Sequence, residues 1–162
     1  MLKADSLLLS VHEVRAALGS RVRLEPPKNG ASSPHAGDFI KGAAADSAFR
    51  QFAGTIQVGE GTRPVSVSEM ALIFDSKEKA THTFDQVAAV AHLRAQLNGS
   101  DVAVETVTAP SGLISYWGFV HKDEAIVVLT LDTLDPHRVS VSDLRTLASA
   151  TAKRLEAAAA RP

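Results

Sequence analysis

The sequence predicts an α+β fold: an antiparallel β-sheet with a meander, packed by two long helices plus an N-terminal helix. Three observations predict it. Residues 101–108, 113–120 and 125–132 are strand-like runs separated by gaps the size of turns. Two long helical stretches, one after residue 75 and one after residue 140, begin at capping residues and carry apolar stripes. A shorter capped helix stands near the start. At 162 residues the chain suits one domain spanning 1–162.

The elements follow in order. In SVHEVRAALG, Ser10 and Glu13 form a capping box and Gly19 occupies the C-terminal glycine position. Val11, Val14, Ala17 and Leu18 share a face. RVRLE, residues 21–25, suits a short strand. EPPKNGASSPHAGDF, residues 25–39, reads as a loop, and one so long is either mobile or functional. Between residues 40 and 61 the pattern is poor. There Asp46 caps a short helix through Phe49 and Phe52, and TIQVGEG reads as a strand end and a turn. PVSVSEMALIF, residues 64–74, is a strand with Met70, Leu72 and Phe74 on one face. Asp75, with Glu78 three residues on, caps a helix running to about Leu97, where Asn98-Gly99 stops it. Its stripe is Ala80, Phe84, Val87, Ala88 and Ala91. DVAVETVT alternates like a half-buried strand. APSG is a turn, LISYWGFV the next strand, HKDE a hairpin turn and AIVVLTLD the last strand. The closing helix, VSVSDLRTLASATAKRLEAAAA, is capped by Ser140 or Ser142 and lined by Leu144, Leu147, Ala148, Thr151 and Leu155.

The aromatic strand bears on function. Strand alternation puts Leu113, Ser115, Trp117 and Phe119 on one face, and Ile114, Tyr116, Gly118 and Val120 on the other. Both faces are partly apolar, as expected of a central strand covered on both sides. Trp117 and Phe119 are expected under a helix, with Tyr116 half exposed. Gly118 leaves a gap beside Tyr116 where another group could approach. The predicted ligand-binding surface is therefore the face of Tyr116 and Gly118. The 25–39 loop borders it and brings His35 and Phe39. The competing reading has the N-terminal helix covering that face.

Composition narrows the function classes. A net charge of −1 argues against nucleic acid and against a polybasic membrane-surface module. The chain has no cysteine, which excludes disulfides, thiolate metal sites and cysteine nucleophiles. No run is long enough for an integral membrane segment. The six histidines lack metal-ligand spacing, so no metal is expected. His82 and Asp85 lie one helical turn apart, an arrangement that serves an oriented base but more commonly a surface pair. No nucleophile elbow, phosphate loop or dinucleotide fingerprint occurs, and Gly59 and Gly61 stand alone. No catalytic residue and no cofactor is predicted.

Three stretches carry a resemblance. LLLSVHEVRAALG, IFDSKEKATHTFDQV, and SYWGFVHKDEAIVVLTL followed by SDLRTLASATAKRL together resemble the extracellular sensor domains of PknH-like kinases and related actinobacterial cell-envelope lipoproteins. The resemblance implies a secreted or anchored α+β domain that binds an unidentified ligand or partner and does no chemistry. It transfers no functional residue. The leading expectation is thus a non-catalytic ligand- or partner-binding module of the cell envelope, extracytoplasmic if a signal was removed and otherwise cytoplasmic. The alternatives are a cytoplasmic interaction or scaffold subunit, homodimeric through a sheet face, and a small hydrolase-type enzyme using His82 or His121 with a carboxylate.

Overall fold

A computed structural model describes residues 2–30 and 44–160. A single 3-10 turn, Ala4–Leu7, precedes α1 (Val11–Leu18), β1 (Val22–Leu24) and β2 (Lys28–Gly30). Then come β3 (Asp46–Val58), β4 (Gly61–Ile73), α2 (Lys77–Ala88), β5 (Leu93–Leu97), β6 (Ser100–Thr108), β7 (Ile114–Lys122), β8 (Ala125–Thr133) and α3 (Val141–Ala159). The predicted class holds: the strands form one antiparallel sheet in the order β1-β3-β4-β8-β7-β6-β5, with β2 also on the outer edge of β3.

The sheet has two halves, each zipped by short turns. Gly59-Glu60 joins β3 to β4, and β5 to β8 form a continuous meander. The halves meet at the β4–β8 seam, which runs from Val65 opposite Thr133 to Ile73 opposite Ala125.

Side-chain alternation divides the core in two. On the first face Phe52, Val65, Val67, Val127, Leu129 and Leu131 pack against α1, α3 and the 3-10 turn. On the second, Met70, Leu72, Phe119, Ile126 and Val128 pack against Ala80, Phe84 and Val87 of α2. Burial of each large apolar side chain contributes about 1.5–3 kcal/mol, so the two layers hold the sheet from both sides. The caps expected for the first and last helices are in place. Ser10 accepts from Glu13 N while Glu13 accepts from Ser10 N, and Ser140 with Asp143 closes a second capping box.

Several expectations are corrected. Residues 46–58 are a long strand, not a short helix: Phe52 points to the first face and Phe49 to the second. Their three-residue spacing imitated a helical stripe. Ser76, rather than Asp75, caps α2. That helix ends at Ala88, and residues 93–97 pair with β6. Asn98 and Gly99, with φ of 49° and 71°, make the two-residue hairpin turn between β5 and β6. The loop expected at 25–39 contains β2. Residues 31–39 of it, including His35 and Phe39, lie outside the described residues.

The aromatic expectation is reversed. Tyr116 is 7% exposed beneath α3, while Trp117 is half-buried. A helix reaching residue 97 would have been about 33 Å long, whereas the twelve residues of α2 span about 18 Å. It covers Phe119 and stops short of covering Trp117.

Close backbone approach explains one glycine. A Cβ on Gly54 would lie 2.7 Å from the Arg23 carbonyl oxygen of β1. Gly54→Ala is expected to cost about 1–3 kcal/mol and to loosen β1 from the sheet edge. Hydrogen exchange of the amides of residues 22–24 is the measurement, and unchanged protection there would refute it. Among the described residues, no helix is long and apolar enough to cross a membrane.

Candidate functional site

Tyr116 and Gly118 share the first face, as predicted, but that face is covered. Leu144 of α3 sits over Gly118, its side-chain carbons 3.4–3.5 Å from where a Cβ would stand. The covering element is chiefly the closing helix, with α1 packed beside it. Burial raises the Tyr116 phenol above its ordinary value, and the Asp143 carboxylate adds to that. A ligand could meet these two residues only by displacing α3.

The histidine candidates separate. His82 is exposed, and its neighbour Asp85 pairs with Arg94 at 3.4 Å. His121 is buried on the second face and stacks on Phe84 at 5.1 Å. Its Nε2 lies 3.1 Å from the Asp123 carbonyl oxygen and its Nδ1 3.6 Å from Asp101. This is a packed cross-strand histidine with its ring wedged under α2. Among the described residues no group of three or more His, Asp or Glu is placed to hold a metal ion.

A concavity of about 630 Å³ lies on the helix side, between α1 and α3. Its walls are small residues, Ala16 and Ala17 on α1 and Ala150 and Ala157 on α3, so the two helices leave a channel. At one side the Arg154 guanidinium pairs with the Glu13 carboxylate and donates to the Ser6 carbonyl at 3.3 Å. Its Nε is buried without a hydrogen-bond partner. Burial alone would raise the Glu13 carboxyl. Arg154 and the Ser10 amide and hydroxyl outweigh it and hold the group at about 2. Lys153 adds a second cation to the lining.

Below this groove is a fully buried carboxyl that the sequence did not single out. Glu69 is 0% exposed on the first face of β4, opposite Arg50 on β3. The pair clasps the backbone of one residue: the Leu9 amide donates to Glu69 at 3.1 Å, and Arg50 donates to the Leu9 carbonyl at 2.8 Å. Desolvation pushes Glu69 up to about 8 against the pull of Arg50, the Leu9 amide and Arg154. The signal was present in the sequence, because Val65, Val67, Glu69, Ala71 and Ile73 alternate and so put a carboxylate in an apolar row.

No family model matches the chain, and no curated protein matches it. Among solved structures it is similar to the extracellular domain of PknH from Mycobacterium tuberculosis. The match covers 94% of this chain and 95% of that one, at 12% identity and a TM-score of 0.55. The chain shares the fold of that domain. At this identity the likeness is one of architecture, and no site residue comes with it.

Proposed function

We propose that the chain is a single, non-catalytic binding domain that works outside the cytoplasm, at the cell envelope, and takes a small ligand in the groove between α1 and α3. The observation that carries this reading is the groove itself. It is an open concavity of about 630 Å³ whose alanine walls stand beside convergent polar groups, among them Glu13, Lys153 and Arg154, a make-up that suits a small polar ligand. Its ionisable groups favour binding over chemistry. Glu13 is held ionised by Arg154 and by its own helix cap, and Glu69 is sealed beneath the Leu8–Ser10 connection. The fold shared with the extracellular domain of a kinase supports the placement and the sensing role.

Filling the groove tests the reading. Ala150→Phe puts a ring into the channel from a half-buried position on α3. Wild-type and variant protein are dialysed against a small-molecule extract of cell envelopes, and the retained species are identified by mass spectrometry. A species kept by the wild type and lost from a folded Ala150→Phe variant is the expected result. Equal retention by both would sink the groove as the site.

A further inference from the structure

The half of the second sheet face beyond α2 carries one continuous cross-strand row. Gln51 on β3 stands opposite Ser68 on β4, Ser68 opposite Thr130 on β8, Thr130 opposite Trp117 on β7, and Trp117 opposite Glu105 on β6. All five side chains are half-buried. With strands about 4.8 Å apart, the row runs about 19 Å across the sheet.

Its neighbours differ from it. The row toward α2 is Phe49, Met70, Val128, Phe119 and Ala103, which is apolar and packs against the helix. In the row on the other side Asp132 accepts from Ser115 at 2.5 Å and from Ser66 at 3.4 Å, so that row satisfies itself. Within the Trp117 row, the side chains of Gln51, Ser68, Thr130 and Glu105 make no hydrogen bond or ion pair with any described residue. Beside Trp117 a shallow depression is floored by Met70 and Val128. A line of half-buried, unpaired hydroxyl, amide and carboxylate groups around one aromatic plane is an arrangement that a ligand can complete.

We propose that this row binds a neutral oligosaccharide, with Trp117 as the stacking platform. A pyranose ring has an apolar C–H face that suits an indole, and a rim of hydroxyls that both donate and accept. Ser68, Thr130 and Gln51 offer both functions, and Glu105 accepts. The length of the row fits several sugar units rather than one. The charge favours a neutral glycan: Glu105 and Asp132 in the adjacent row bring carboxylates, and among the described residues the only cation in register is Lys28, at the far end opposite Gln51. A protein partner suits the row less well. A stable interface needs about 800 Å² per side around an apolar centre, and here half-buried Trp117 and exposed Val107 in the next row stand among polar side chains rather than forming such a centre.

The chain's only tryptophan makes the test specific to this row. Wild-type protein is titrated with trisaccharides of β-1,4- and α-1,4-linked glucose, of β-1,4-linked N-acetylglucosamine and of α-1,6-linked mannose, and Trp117 emission is followed. The expected result is a saturable change with at least one of them, together with protection of Trp117 from acrylamide. The paired variant Thr130→Val with Glu105→Ala, which keeps the fluorophore, should bind about tenfold or more weakly, because each substitution removes a hydrogen-bond partner from the site. Ala150→Phe, on the opposite face, should bind the sugar like the wild type, so the groove and this row stand or fall separately. Three results would overturn the proposal: no saturable change with any of the four sugars, equal affinity in the Thr130/Glu105 variant, or tighter binding of a polygalacturonate trimer than of every neutral sugar.

Discussion

Glu69→Gln is expected to stabilise the protein at pH 8 and to remove most of the decline in its stability above pH 5. Burial raises the Glu69 carboxyl from 4.5 in the unfolded chain to about 8 in the fold. Between those values the folded state keeps a proton that the unfolded state has released. The contribution is therefore fully present below about pH 4.5 and is lost as pH rises toward 8. Every pH unit between the two values is worth about 1.4 kcal/mol, so the whole window amounts to on the order of 4–5 kcal/mol. Gln keeps an acceptor for the Leu9 amide and carries no charge to desolvate. Arg50 loses little, because in the wild type its partner is already neutral through most of this range. Glu13 acts in the opposite direction. Held at about 2, it contributes stability above pH 4.5 that is lost as pH falls toward 2. These two groups together favour a maximum near pH 4.5–5. Urea midpoints for wild type and variant from about pH 4 to about pH 9 are the measurement. Parallel pH profiles for the two proteins would contradict the assignment.

The second large effect is at the contact between α3 and the sheet. Leu144 is fully buried over Gly118, and Leu144→Ala is expected to cost about 3 kcal/mol or more through lost transfer energy and a residual cavity. Gly118→Val places methyl groups where the Leu144 side chain now lies and should cost about 1–3 kcal/mol by overpacking. The two losses should not add. In the double variant the valine fills space that Leu144 vacated, so the pair should be less destabilised than the sum by about 1 kcal/mol or more. Urea denaturation of the four proteins in this cycle gives the coupling. Strict additivity would mean that α3 and β7 do not meet through these side chains.

Elements with local chemical signatures were legible in the sequence. The Ser10–Glu13 capping box marks a helix start that the structure keeps, and of the two caps offered for the closing helix, Ser140 and Ser142, the structure uses Ser140. The meander was readable from alternation and turn residues. Failures came where one spacing satisfied two periods. Phe49 and Phe52 are three apart, as on a helix, yet they sit on opposite faces of β3. Leu93 and Leu97 are four apart, as on a helix, and the helix was expected to run to about Leu97, but strand pairing with β6 decided their state. Trp117 was expected beneath a helix because of strand alternation, but α2 covers Phe119 and leaves Trp117 half-buried. The groove was not legible because alanines at helical spacing carry no chemical signal. The Trp117 row was not legible because its members lie on five strands, and only strand register brings them side by side.

The β4–β8 seam also bears on how quickly the chain can fold. The β3–β4 hairpin and the β5-to-β8 meander can each zip from nearby residues. Joining them requires Ile73 to find Ala125, with α2 and three strands lying between. Closing that loop costs entropy before the seam returns any contact energy, and sheets built on such distant pairings fold over milliseconds to seconds rather than microseconds. Until the seam forms, both halves present open strand edges along β4 and β8, lined with Val67, Ala71, Val127 and Leu129. That interval is when a second copy could take the place of the missing half, which makes strand exchange between molecules the characteristic misfolding hazard of this architecture.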